Sequence, residues 1–473
     1  MQRVTPDRPW PLHGVAAIRR LEQRAAAALP PHTLMQRAGL AVARLALAVA
    51  PHARTVWVAC GPGNNGGDGF EAALHLKQWG KEPVVTWLGN EAKAPADARA
   101  SLQRARAAGV PVAADAPAHW DLAIDALLGI GSTRAPEGAL LAQVRALRGG
   151  PVLAVDLPSG LDADTGHATA AVQATHTLSL LALKPGLFTA QGRDAAGAVW
   201  FDDLHVPAQD ESPIALLSAP PAASVRAHAS HKGSYGDVAV IGGAPGMAGA
   251  VLLAARAALH HGAGRVFAGF LDPAAPAMDP LQPDLMVRAW DSLDLKGMAV
   301  ACGCGGGAAV REALPRAMNA GALVLDADAL NAVAADAQLQ ALLAARGRRG
   351  APTVLTPHPL EAARLLGTGT AQVQANRLAA ARELAQRFGS TVVLKGSGSV
   401  IAAADGSVRI NPTGNARLAI AGTGDVLAGM VAARLASGED AFTAASGAAY
   451  LHGLAADRWP QEIPLTAAGL AIS

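Results

Sequence analysis

Charge is scarce in this chain of 473 residues: only 16% are Asp, Glu, Lys or Arg, and the formal net charge is +2. No basic stripe is available to track a polyanion, so nucleic acid is not an expected partner. Cysteine is scarcer still. Cys60, Cys302 and Cys304 are too few for a disulfide framework, and one C-x-C without histidine partners offers too few ligands for zinc, so all three are expected as small buried residues. Long apolar runs are also missing. Hydrophobic residues make up 51% of the chain, yet the most apolar helical stretch, Ala38 to Ala50, is cut by Arg44 and is too short to span a bilayer. Arg19, Arg20, Glu22 and Arg24 fall where a signal peptide would stay apolar. The expectation is a cytoplasmic location with no membrane partner.

What is present is a repeated α/β pattern. Short apolar runs, Thr55 to Cys60, Pro83 to Leu88, Asp121 to Asp125 and Val152 to Asp156, alternate with alanine-rich helical stretches such as Glu71 to Trp79, which predicts a parallel sheet with crossover helices. From Pro207 to Arg226 the pattern dissolves into proline, alanine and serine, and a linker is expected there. The pattern then restarts with the strand Asp237 to Gly242 and the helix Ala250 to His260. Runs at Ala322 to Leu325, Thr353 to Leu355 and Thr391 to Leu394 continue it. Two domains are expected, residues 1–215 and 216–473, both α/β and without a shared motif.

In a doubly wound sheet, ligands sit at the carboxyl ends of the strands. Three loops of the first half fit that position: Gly61-Pro-Gly-Asn-Asn-Gly-Gly-Asp-Gly69, Asp125-Ala-Leu-Leu-Gly-Ile-Gly131 and Asp156-Leu-Pro-Ser-Gly160. Gly61, Gly63 and Gly66 satisfy G-x-G-x-x-G, the fingerprint of a dinucleotide turn, but Asn64, Asn65 and Asp68 occupy the phosphate's place. Asp68 would repel a phosphate, so it is expected to cap the helix or brace the loop. Asn65, Asp125 and Ser159 offer hard oxygens with one negative charge among them, which suits a weakly charged cation better than zinc. Each of the three could equally be a turn former.

These loops, with Leu34-Met-Gln-Arg-Ala-Gly39 and Lys184-Pro-Gly186, occur in an order that closely resembles the NAD(P)HX epimerase family. The resemblance implies a Rossmann-like fold and a potassium ion held by Asn65, Asp125 and Ser159. It also implies binding of the hydrated nucleotide by Asn64, Asn65, Gly66, Gly67 and Asp68, and by Gly129, Ile130, Gly131, Ser132, Thr133, Arg134 and Ala135. Asp156 would lie beside the reacting ring as the catalytic acid/base.

The second half carries a stronger local signal. Gly422-Thr-Gly-Asp425 opens an apolar helical stretch, so free N–H groups and the helix dipole would face an anion, with an aspartate placed to take a proton from a hydroxyl attacking a phosphoryl group. Such a turn is a ribokinase-like anion hole. With His231-Lys-Gly-Ser-Tyr-Gly236, Asp326-Ala-Asp-Ala-Leu-Asn331, Thr356-Pro-His-Pro-Leu-Glu361 and Lys395-Gly-Ser-Gly-Ser399, it resembles the ADP- or ATP-dependent NAD(P)HX dehydratase family over most of residues 226 to 470. That resemblance implies that Ala250, Gly305, His358 and Asp425 contact the hydrate. Lys395, Gly396, Ser397, Gly398, Ser399 and Gly424 would contact the adenine nucleotide. In Gly303-Cys-Gly-Gly-Gly307, cysteine stands where that family usually has proline.

The implied function is bifunctional repair of hydrated nicotinamide nucleotides: epimerisation of R and S NADHX or NADPHX, then dehydration of the S form driven by ADP or ATP with Mg²⁺. A homo-oligomer is expected. Two rivals stay open, a ribokinase-like small-molecule kinase in the second half and a non-catalytic nucleotide-binding module in the first.

Overall fold

The computed structural model describes residues 1–132, 134–208, 210–222 and 227–473. Contacts divide it into two compact units, Met1–Thr5 with Trp10–Leu216, and Pro6–Pro9 with Leu217–Ser473.

In the first unit the strand order is Gln2–Arg3, Ala198–Asp202, His176–Leu180, Val152–Val155, Leu122–Ala126, Thr55–Cys60, Glu82–Trp87 and Val112–Ala113. Neighbours are parallel except for the antiparallel pair formed by Gln2–Arg3. Thr55–Cys60 pairs with Glu82–Trp87 on one side and Leu122–Ala126 on the other, so the chain reverses direction beside it. The crevice at that reversal is where a doubly wound sheet binds ligands. Both faces of the sheet are covered, as the unbroken apolar strands require. Val56, Val58 and Ile124 join a cluster with Ala38, Val42 and Phe70, while Trp57, Ala59 and Ala123 pack with Val144 and Leu147.

The expected glycine-rich loop is mostly helix. Gly63 is the N-cap and the helix runs Asn64–Gln78, because Gly66 and Gly67 are tolerated in a first turn packed against backbone. A Cβ on Gly66 would lie 2.2 Å from Gly61 O. Asp68 sits one turn inside and does not cap, since no side chain caps this helix.

In the second unit the order is Met286–Val287, Arg265–Phe270, Asp237–Gly242, Ala299–Cys302, Ala322–Leu325, Thr353–Leu355, Thr391–Leu394, Val400–Ala402 and Val408–Ile410. The pairs through Thr391–Leu394 are parallel and the last two antiparallel. Helix Thr423–Ala436 is buried along most of its length, and Gly429 lets it close on helix Ala248–His260, since a Cβ there would lie 2.0 Å from Ala254 O. The segment expected as linker contains a strand, Ala215–Leu217, because its apolar run can bury Ala215 and Leu217. Among the described residues, no helix is long and apolar enough to cross a membrane.

Candidate active sites

The first unit has a cavity of about 580 Å³ at the strand reversal. Its wall includes Asn64, Asn65 and Asp68 from the helix start, Gly129, Ile130, Gly131 and Ser132 from the next loop, and Asp156. Gly66 and Gly67 are buried behind it, and Arg134 and Ala135 are exposed and do not line it. Thr133 lies outside the described residues. Because helix Asn64–Gln78 begins at the cavity without a side-chain cap, its first N–H groups are left for a ligand.

Asn65, Asp125 and Ser159, far apart in sequence, meet beside the loop at Leu128. Ser159 Oγ donates to Asp125 Oδ1 at 2.6 Å, Ser159 N donates to Asp125 Oδ2 at 2.8 Å, and Asn65 Nδ2 donates to Leu128 O at 3.0 Å. Asp125 and Ser159 are wholly buried. Burial pushes the Asp125 carboxyl up to about 6, against the pull of Ser159 and the Leu127 N–H. A buried carboxylate with the Ser159 hydroxyl on it and the Asn65 amide beside the same loop is a donor set that fits potassium.

Asp156 follows strand Val152–Val155 with φ of +70°, a left-handed conformation uncommon for a residue with a side chain. It is held there: its N–H donates to Leu178 O at 2.8 Å, and Oδ1 accepts from Leu180 N at 3.1 Å and from Lys184 Nζ. Desolvation, then the Asp156 charge, drives the Asp68 carboxyl well above its ordinary range. Raised in this way, Asp68 is less ready to carry a negative charge at the helix start, which lessens the repulsion of a phosphate that the sequence posed. Desolvation and Asp156 raise Glu22 on the same wall as well.

In the second unit Asp425 lies in the first turn of helix Thr423–Ala436, after Gly422 at φ of +93°. Asp326, at the end of strand Ala322–Leu325, accepts from Lys395 Nζ at 2.6 Å and from Thr356 Oγ1 at 2.7 Å. Gly424 keeps this corner open, since a Cβ would lie 3.2 Å from Lys395 Nζ. The expected nucleotide residues Lys395 and Gly424 are thus neighbours. Loop Gly396 to Ser399 leads from Lys395 into strand Val400–Ala402, with Ser399 Oγ donating to Gly396 O at 3.1 Å. Buried Arg377 braces that loop by donating to Leu394 O and Lys395 O.

Desolvation, then Asp326, pushes Asp425 up to about 6. Cys304 is completely buried and hydrogen-bonds to Asp425; burial holds it far above the usual thiol range, so it is the donor. Its sulfur and the carboxylates of Asp326 and Asp425 lie within 4.8 Å of one another. Ala250 and Gly305 also come together: a Cβ on Gly305, at φ of +56°, would lie 2.9 Å from Ala250 Cβ. His358 is about half exposed and caps helix Pro359–Leu366, its Nδ1 accepting from Leu360 N at 3.1 Å while Glu361 Oε2 accepts from His358 N at 2.7 Å.

Two family models match. Residues 31–186 match "YjeF-related protein N-terminus" and residues 238–472 match "NAD(P)H-hydrate dehydratase". A bifunctional NAD(P)H-hydrate repair enzyme of Escherichia coli is 38% identical over 464 residues, covering 93% of this chain and 88% of that one. The chain belongs to the bifunctional NAD(P)H-hydrate repair enzymes. The α/β architecture expected of both halves, with a doubly wound sheet in the first, is what the structure has. An ADP-dependent (S)-NAD(P)H-hydrate dehydratase of Neisseria meningitidis is 47% identical over 240 residues, 49% of this chain and 80% of its own. A solved ADP/ATP-dependent NAD(P)H-hydrate dehydratase of Bacillus subtilis, co-crystallised with ATP and Mg²⁺, is 32% identical with a TM-score of 0.45, covering 53% of this chain and 91% of that one.

Four residues of these sites carried no role in the sequence reading. Lys184 stands in a motif without a role of its own, Cys304 reads as a small buried residue, and Glu22 and Arg377 carry no local signal. Their partners are 17 to 134 positions away for Arg377, Lys184, Cys304 and Glu22, reckoned to Leu394, Asp156, Asp425 and Asp156.

Proposed function

We propose that residues 1–215 interconvert the R and S forms of NADHX and NADPHX, and that residues 216–473 dehydrate the S form to NADH or NADPH while consuming ADP or ATP. The observation that carries the dehydratase is the placement of Asp425: in the first turn of a helix without a side-chain cap, beside the Lys395–Asp326 pair, with its carboxyl pushed up to about 6 by desolvation and Asp326.

Hydration leaves a hydroxyl on C6 of the nicotinamide ring, and hydroxide leaves poorly. Asp425 takes the hydroxyl proton as its oxygen attacks the terminal phosphoryl group, while the N–H groups from Gly422 to Gly424 receive the developing charge. Phosphate then departs, pushed by the ring nitrogen, and loss of a proton from C5 restores the double bond. Mg²⁺ would neutralise the nucleotide phosphates, with Asp326 the hard oxygen at hand beside the base.

A chiral pocket accepts one C6 epimer, so the first domain supplies that epimer from the other. Potassium held by Asn65, Asp125 and Ser159 would fix the loop after strand Leu122–Ala126, which forms the cavity wall. Asp156 would shuttle the proton needed as the C6–oxygen bond breaks and reforms. Incubation with mixed NADHX epimers and each nucleotide, following the return of NADH absorbance, tests the whole reading. No return with either ADP or ATP refutes it.

A further inference from the structure

The motif Lys184-Pro-Gly186 puts at the first site a buried lysine with no assigned work. Lys184 has no solvent exposure, and a buried ammonium is costly unless each of its donors is met. All three are met. Nζ donates to Asp156 Oδ1, to Leu180 O at 2.8 Å and to Ser179 Oγ at 3.3 Å. Leu180 N also donates to the same Oδ1, at 3.1 Å.

One oxygen of Asp156 is therefore engaged twice, and the other takes part in no hydrogen bond among the described residues. Asp156 itself lines the cavity. Its left-handed backbone is also a conformation that a residue with a side chain keeps only when its surroundings hold it. Ser179 and Leu180 lie in strand His176–Leu180 and Lys184 follows it, next to the strand that delivers Asp156. The carboxylate is clamped from the neighbouring strand while facing the ligand space.

Resting on the reading of Asp156 as the acid/base, we propose that Lys184 is the positioning residue of the epimerase site, holding Asp156 Oδ1 so that Oδ2 alone meets the substrate. A charge so placed keeps the carboxylate from swinging and balances it in a pocket that also contains Asp68 and Glu22.

The test uses the full chain without nucleotide, so that the dehydratase is idle, and follows interconversion of separated R and S NADHX by chromatography. In Lys184→Met, kcat should fall on the order of 100-fold, the scale of a misplaced acid/base, with KM changed less than about threefold. Lys184→Arg should recover part of the rate. Dehydration of the S form with nucleotide should stay at the wild-type rate in both.

Wild-type kcat in Lys184→Met, with Asp156→Asn inactive, overturns the proposal alone. Wild-type kcat in Asp156→Asn overturns the reading beneath it. If Lys184→Met does not fold, Ser179→Ala decides, because it removes one acceptor of the ammonium and leaves Asp156 untouched: a several-fold lower kcat with unchanged KM supports the clamp, and an unchanged kcat overturns it.

Discussion

Ser159 Oγ donates to Asp125 Oδ1 at 2.6 Å, and neither residue is reached by solvent. Burial lifts the Asp125 carboxyl to about 6, above its ordinary value of 3.8. With the folded value raised, this group's contribution to stability is present below about pH 4 and is lost as pH rises through about 6, where the carboxylate must ionise without a counter-charge. The shift corresponds to roughly 3 kcal/mol. A cation bound there offsets the loss only above that range.

Potassium is therefore expected to raise the unfolding temperature of the first domain at about pH 8 and to have little effect at about pH 4.5. Lithium, which needs shorter oxygen distances, should not raise it at either pH and should slow epimerisation. Calorimetry in potassium and lithium chloride at the two pH values measures it. Equal stabilisation by both ions, or by potassium in Asn65→Ala, would return Asn65 to the role of turn former.

Asp156→Asn should leave the dehydratase working on the S form and stall conversion of the R form. Given mixed epimers and ADP, the variant should show a fast phase and then a slow one limited by spontaneous epimerisation. A second phase as fast as in wild type leaves Asp156 with a structural role only.

Asp425→Asn should abolish nucleotide-dependent recovery of NADH while both nucleotides still bind, because the base is lost and the free N–H groups are not. In wild type the acid limb should follow the Asp425 carboxyl, the rate falling about tenfold per pH unit below about pH 6 as the base is protonated. A flat profile from about pH 7 to about pH 5 removes Asp425 from the proton transfer.

The hydrogen bond from Cys304 pulls the Asp425 carboxyl down, against desolvation and Asp326. Removing it in Cys304→Ala should move the acid limb of the dehydratase to higher pH, whereas Cys304→Ser, which keeps a donor, should leave it nearly in place. Identical limbs in wild type and Cys304→Ala would show that the thiol only fills space.

The sequence by itself determined the local parts. An apolar run ending in Asp125 or Asp156 can only deliver that side chain at a strand end, and glycines before the helical stretch from Thr423 put free N–H groups at its start, because both effects act within a few residues. The pattern of short apolar runs located eight of the strands to within a residue or two and left others, such as His176–Leu180 and Arg265–Phe270, unread. It read Gly61 to Gly69 as a loop, since glycine-rich stretches have low helix propensity, and only packing against Gly61 and Met35 made residues from Asn64 onward helical. It read Pro207 to Arg226 as linker, and burial of Ala215 and Leu217 made part of it a strand.

Tertiary structure alone decided which groups act on one another. Lys184 reaches Asp156 because parallel strands set their ends side by side, Lys395 reaches Asp326 across the end of the intervening strand Thr353–Leu355, and Cys304 reaches Asp425 because helix Thr423–Ala436 packs on strand Ala299–Cys302; these adjacencies depend on topology, which no local pattern contains. The protonation states follow from the same placement. Asp68, Asp125 and Asp425 are ordinary aspartates in the sequence, and each is shifted upward because the fold removes water from it, and for Asp68 and Asp425 also because the fold sets other carboxylates nearby.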